Sequence, residues 1–244
     1  MEEYIKYTAE MLKEKYCVWG SFYTLRYPGG AILGCRNGLE IFTINQTTHL
    51  LESALPDALF VMMNPGSSKP IEPDVDLSTY DLSTISKLTI NMVETRPDPT
   101  QYQLMRLMML LRWKYIRVIN LSDIVETSSS SFLKELTRLR KLDKTAQKPG
   151  LDRNIHSVFS NARARELRRH LRGKESAPVI LGWGSDNRLK TLATNAIKRL
   201  KEYRCNTIGM SKNSNDNSLL YRHPNMPNSP PKNADWLNFI IASI

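Results

Sequence analysis

The chain is predicted to be an α/β protein, a three-layer sandwich around a mostly parallel central sheet with an N-terminal helix and a β-rich extension. Three short apolar runs predict it: Leu59-Phe60-Val61-Met62-Met63, Ile116-Arg117-Val118-Ile119 and Pro178-Val179-Ile180-Leu181. Each is strand-length and β-rich, and helical patterns lie between them, notably over 100–113 and 159–172. Strands buried on both faces lose the polar alternation of half-exposed ones, and a strand–helix–strand rhythm implies parallel pairing. The length of 244 residues suits one sizeable α/β unit.

In chain order, residues 2–16 alternate apolar and charged positions at helical spacing and predict an opening helix. Residues 17–45 are rich in Val, Tyr, Phe, Ile and Thr, broken by Pro28-Gly29-Gly30 and Asn37-Gly38, which predicts strands joined by tight turns. We place a division near residue 55, with 1–55 as a helix and hairpin packed on an α/β core of 56–244, the whole forming one globular unit. The stripe Leu104-Met105-Arg106-Leu107-Met108-Met109-Leu110-Leu111 reads as the core face of a helix. Ser128 to Ser131 reads as a loop, and 211–232 as a long irregular loop before a last helix at 234–243.

Composition narrows the chemistry. Cys17, Cys35 and Cys205 are odd in number and widely spaced, which argues against a disulfide framework, a structural zinc and a four-cysteine cluster. They read as buried thiols. There is no His-Glu-x-x-His or Walker-type loop, and Gly182-Trp183-Gly184 lacks the third glycine of a dinucleotide fingerprint. Glu72, Asp74 and Asp76 read as a solvated acidic loop, so neither metal nor cofactor is expected. No run approaches the roughly 18 apolar residues of a membrane span. The start, Met1-Glu2-Glu3-Tyr4, lacks a signal-peptide layout, so an intracellular monomer is expected.

The net charge is +10, and thirteen Lys/Arg against four Asp/Glu fall between Lys134 and Lys174. A polyanion such as DNA is the natural partner for such a stretch, and Arg163, Arg165, Arg168 and Arg169 are its candidate phosphate contacts. Few aromatics interleave there, which favours a phosphate grip over a base-stacking platform.

The three apolar runs end in Asn64-Pro65-Gly66, Asn120-Leu121-Ser122-Asp123 and Gly182-Trp183-Gly184. In an open parallel sheet such tips gather along the ligand-binding edge. Together with Tyr221-Arg222-His223-Pro224-Asn225-Met226-Pro227-Asn228, they make the chain resemble the uracil-DNA glycosylase superfamily across roughly residues 58–230. Val61-Met62-Met63-Asn64-Pro65-Gly66-Ser67-Ser68 is similar to the first motif of the mismatch-specific uracil/thymine branch. Asn120 falls where that superfamily has a base-reading Asn, and the His-Pro pair falls where it has a minor-groove loop.

What the resemblance implies is a monofunctional enzyme that hydrolyses the N-glycosidic bond of a flipped-out pyrimidine. Asn64 would orient a water through its amide oxygen, since an amide has no useful basicity. His223 would donate to the base oxygen where charge accumulates. Asn120, with one donor and one acceptor, would match a pyrimidine edge. Gly66 would leave open the space beside carbon 5, pointing to a 5-substituted base, whether mismatched, damaged or modified as in some virus genomes. Tyr80, the first aromatic after Asn64, would stack on the base. Ser67, Ser68, Arg222, Asn225, Met226 and Pro227 would touch DNA, with Met226 as the wedge and Pro227 second. Trp183 would be structural. The chain departs from the superfamily in lacking the acidic residue of its fastest uracil-specific members, and in having Asn225-Met226-Pro227 where a Leu wedge is usual. Two rivals remain: a non-catalytic binder of altered DNA, and a nuclease, for which the tips supply only Asp123 and Asp186 as metal ligands.

Overall fold

The computed structural model describes residues 7–27, 30–44, 54–145, 154–211, 219–226 and 229–244. At its centre is a mixed sheet flanked by helices. The strands β3 (Ala58–Met62), β7 (Tyr115–Asn120), β8 (Val179–Gly182) and β9 (Thr207–Gly209) are parallel and lie in the order β7-β3-β8-β9. Every residue of β3, β7 and β8 is buried, as continuous apolar runs require when both faces are covered.

The antiparallel hairpin of β1 (Tyr16–Arg26) and β2 (Ile32–Thr43) continues this sheet, β2 pairing with β7 through Leu39↔Val118 and its neighbours. The far edge of β1 carries β6 (Met92–Arg96), antiparallel, and β5 (Thr79–Tyr80), parallel; β4 (Lys69–Pro70) pairs with β6.

Alternate strand residues feed two apolar layers. Leu59, Val61, Ile119, Val179 and Leu181 face α3 (Ser129–Thr145), α4 (Ala164–His170) and α5 (Lys190–Glu202), which present Phe132, Leu136, Leu167, Leu192 and Ala196 among others. Ala58, Phe60, Met62, Ile116, Val118 and Ile180 face α1 (Ala9–Lys13), α2 (Pro99–Leu111) and α6 (Pro230–Ser243), through Leu12, Leu104, Met108, Trp236 and Ile240. Two helical layers on one sheet make the expected three-layer sandwich.

Several local expectations change. Among the described residues the opening helix is Ala9–Lys13, ending there because Tyr16 already begins β1; residues 2–6 of the expected span lie outside the described residues. Asn37-Gly38 is no turn: it sits inside β2 next to a bulge, where the register slips between Ser21 and Phe22. Asn37 donates to Glu166 Oε1 at 3.0 Å, and Gly38 leaves room for the His170 ring. The chain reverses instead around Gly30, whose φ of 84° suits glycine; Pro28 and Gly29 lie outside the described residues. The serine run is a helix start, with Ser128 Oγ accepting the Ser131 N–H at 3.0 Å. The helix expected over 159–172 is a short 3₁₀ turn at Asn161–Arg163 leading into α4. The final helix begins at Pro230, with the prolines in its first turn, where their missing N–H costs nothing.

Candidate active site

A cleft of about 490 Å³ opens beyond the carboxyl ends of β7, β3 and β8. Counted along the chain, the parallel strands lie second–first–third–fourth, and this order makes the β3/β8 junction a topological switch point, where crossovers leave the sheet edge uncovered. The cleft is lined by Asn64, Gly66, Ser67, Asn120, His223, Asn225 and Met226, all singled out from the sequence, together with Arg36, Asp98 and Trp183.

Asn64 follows β3 directly. Its Nδ2 donates to the Glu126 carbonyl at 2.8 Å and more weakly to that of Ile124 at 3.4 Å. Those carbonyls are in place because the segment after β7 runs along β2, with Cys35↔Ile124 as a bridge and Val125 N donating to Gly34 O at 2.9 Å. Both partners only accept, so the amide is fixed with its oxygen as the half left for the cleft.

Asn120 ends β7 at 1 % exposure, and neither its Nδ2 nor its Oδ1 has a hydrogen-bond partner. A buried polar group left unpaired costs about 1–3 kcal/mol, so a donor and an acceptor held this way at a cleft are poised for a complementary edge.

Gly66 has φ of 71°, and a Cβ there would collide with Asp98 Oδ2. The space expected to stand open beside Gly66 is therefore partly occupied by the Asp98 carboxylate. Asp98 caps α2: its Oδ1 accepts from Thr100 N at 2.9 Å and Gln101 N at 3.0 Å, and the Gln101 side chain returns the bond, a capping box after which Pro99 fits at the first helical position.

Arg36 was not foreseen. It is 2 % exposed, and its Nε and Nη1 have no partner, although its backbone N–H donates to Asp123 O at 2.8 Å. Burial lowers its pKa to about 10 against the pull of the Asp98 and Asp123 carboxylates, which leaves it charged at neutral pH. An unpaired buried cation costs several kcal/mol. No periodic pattern marks it; the one sequence signal was a charged residue inside an otherwise apolar and small stretch, Ile32-Leu33-Gly34-Cys35-Arg36.

The segment 221–226 closes the far side. Gly184 N donates to Tyr221 O and Arg222 N to Met210 O, each at 2.7 Å, and Asn233 Oδ1 on α6 accepts from Met226 N at 2.7 Å. Trp183 is fully buried, donates from Nε1 to Leu219 O at 3.1 Å and meets Tyr221 edge-on at 5.2 Å, a structural role as expected. His223 Nδ1 lies 2.8 Å from the Asn225 carbonyl. The Asn225 N–H also lies 3.2 Å from Nδ1, so Asn225 offers a partner to either neutral tautomer. Its carbonyl suits a protonated Nδ1 and its N–H suits an Nδ1 lone pair, the latter leaving Nε2 as a donor. Burial lowers the His223 pKa, with the Asn225 bond and Asp98 opposing, and keeps it neutral at pH 7.

Other candidates lie elsewhere. Tyr80 is carried away from the cleft by the pairing of β5 with β1; its ring stands edge-on to Tyr23 at 5.9 Å, and its hydroxyl is 3.3 Å from Thr89 Oγ1. Ser68 is buried and donates to Arg96 O at 3.0 Å, so it cannot meet DNA. Arg163 is no phosphate contact either. It is buried between two carboxylates, Nη2 donating to Asp123 Oδ2 at 2.5 Å and Nε to Glu166 Oε2 at 2.7 Å, with Tyr23 OH donating to the same Asp123 oxygen at 2.9 Å. Burial of charge demanded this pairing. Arg165, Arg168 and Arg169 are exposed but line no part of the cleft. Arg222 does not line it, and Pro227 lies outside the described residues. Cys35 is buried, Cys17 and Cys205 partly so, and all three are free thiols.

Among the described residues no group of three His, Cys, Asp or Glu is placed to hold a metal ion, and no helix is long and apolar enough to cross a membrane. Comparison with protein-family models, curated proteins and solved structures gave no match.

Proposed function

We propose that this chain is a DNA glycosylase that hydrolyses the N-glycosidic bond of a flipped-out pyrimidine. The observation that carries the proposal is Asn120: a buried amide with a free donor and a free acceptor, at a cleft that the pinned amide of Asn64 on the neighbouring strand end also lines. One donor and one acceptor side by side are what a pyrimidine edge requires. The resemblance of the strand-tip motifs supports the same assignment.

The chemistry follows from the charges involved. As the bond breaks, the sugar carbon becomes oxocarbenium-like and the base takes the electron pair. Asn64 Oδ1 accepts a hydrogen bond from a water and holds it under the sugar carbon; this orients the nucleophile without deprotonating it. Met226, beside the His-Pro pair, is an unbranched apolar side chain suited to fill the gap left by the flipped base. With no carboxylate at position 64, the leaving base must contribute more, which favours pyrimidines with activating substituents at carbon 5.

The test is to incubate the protein with duplex and single-stranded DNAs carrying uracil, thymine mismatches and 5-substituted pyrimidines, and to score alkali-labile abasic sites. Excision of at least one such base is expected. Tight binding with no abasic site on any substrate would make the protein a binder of altered DNA.

A further inference from the structure

We propose that Arg36 is the catalytic residue that holds the negative charge of the departing base. This rests on the glycosylase assignment and identifies the group that receives the charge. Three observations carry it. Arg36 lines the same cleft as Asn120 and Asn64, from the β2 side of Asn120. Its Nε and Nη1 are buried without partners, so two guanidinium nitrogens, with three N–H donors between them, are committed to nothing in the protein. Finally, Arg36 is the one lysine or arginine among the described residues that line the cleft.

The nearby carboxylates do not consume the guanidinium. Asp123 is engaged by Arg163 and Tyr23, and Asp98 is engaged by the amides of α2. Neither makes an ion pair with Arg36. A preorganised cation in a water-poor site stabilises developing charge strongly because no solvent must reorganise.

In the step itself the C1′–N1 bond breaks and its electron pair leaves with the base, whose anion is held by Arg36. The water oxygen bonds to C1′ and releases its proton to solvent, and the base takes a proton from solvent after release. No co-reactant other than water is needed.

The test is a leaving-group series. Single-turnover excision is measured on oligonucleotides carrying uracil, 5-hydroxymethyluracil, 5-fluorouracil and 5-nitrouracil, in order of increasing base acidity, for the wild type, Arg36→Gln and Arg36→Lys. Removing the counter-charge should hurt the poorest leaving group most: Arg36→Gln should fall about 10²–10³-fold on uracil, on the scale of one lost preorganised donor, and at least tenfold less on 5-nitrouracil. Arg36→Lys should recover part of the loss. Free 5-nitrouracil, an anion at neutral pH, should bind the wild type and lose at least tenfold affinity in Arg36→Gln. Because the buried cation is unpaired, Arg36→Gln should melt no lower than the wild type, which separates this role from a structural one. A parallel loss across the series, or unchanged 5-nitrouracil binding, overturns the role of Arg36 and leaves the glycosylase assignment standing. Excision of no base in the series by the wild type overturns both.

Discussion

Asn64 Nδ2 donates to the Glu126 carbonyl at 2.8 Å, and this contact decides which half of the amide meets the cleft. Asn64→Ala should therefore lower single-turnover excision by about 10²–10³-fold, the scale of one lost preorganised contact, with DNA affinity nearly unchanged in a gel-shift titration. Asn64→Asp should not accelerate the reaction, since one carboxylate oxygen would face the carbonyls of Ile124 and Glu126. Equal loss of binding and turnover in the Ala variant would reduce Asn64 to a turn residue.

The basic stretch divides into two kinds of arginine. Arg163→Met leaves Asp123 and Glu166 buried without their counter-charge, and should cost about 3–5 kcal/mol in urea unfolding. Replacing exposed Arg165, Arg168 and Arg169 together by Gln should leave stability within about 1 kcal/mol. If they grip phosphates, the triple variant should also flatten the salt dependence of DNA binding. An unchanged salt slope would place DNA on another face.

His156 supplies a pH signature. It is 1 % exposed, its Nδ1 lies 2.9 Å from Ser122 Oγ, and burial, reinforced by Arg163 and Arg140, lowers its pKa to about 3. The unfolded chain takes up this proton near the ordinary histidine value of about 6.5 and the folded chain does not. Its contribution is thus complete above pH 6.5 and is lost as the pH falls, by about 1.4 kcal/mol per pH unit down to about pH 3. Burial also lowers His170 and His223, with the same sign. His156→Gln should flatten the stability curve between pH 6 and pH 4, and an unchanged slope would show that His156 is protonated in the folded protein.

Gly66 and Asp98 form a steric pair. Gly66→Ala should cost about 1–2 kcal/mol for the left-handed backbone alone, plus the displacement of Asp98. In the background of Asp98→Ser, which keeps a capping side chain, the penalty should shrink, giving a non-additive double-mutant cycle in thermal or urea unfolding. Strict additivity would mean that the carboxylate moves aside freely.

Met226→Ala should slow excision from duplex DNA more than from single strands, because only the duplex needs its stack held open. Equal slowing on both substrates would remove Met226 from the wedge role.

The strand tips were legible in the sequence because a strand buried on both faces must be an unbroken apolar run, and its end is marked by the first small or polar residues. That is why the sequence alone places Asn64, Asn120 and Trp183 at one edge. Burial of charge leaves no such mark. Arg163 sits in a run of cations that reads as a solvated face, yet it is sealed between Asp123 and Glu166, while Arg36 is hidden in a hairpin strand. Tyr80 shows the limit of counting along the chain: it follows Asn64 closely in sequence, but pairing with β1 carries it away. Asn37-Gly38 has the composition of a turn and the geometry of a bulge, because the partner that fixes it, Glu166, lies far along the chain.

The seam between β2 and β7 has a consequence for how the chain is made. Tyr115 OH donates to Glu40 Oε1 across 75 residues of sequence. During synthesis at about 5–20 residues per second, the N-terminal hairpin leaves the ribosome seconds before the strand that covers its edge. In that interval β2 presents an unpaired edge with Leu39, Ile41 and Phe42, the kind of surface that captures holdase chaperones or another nascent copy. Slowing translation between residues 45 and 115 should then lower the soluble yield, whereas slowing it beyond residue 120 should not.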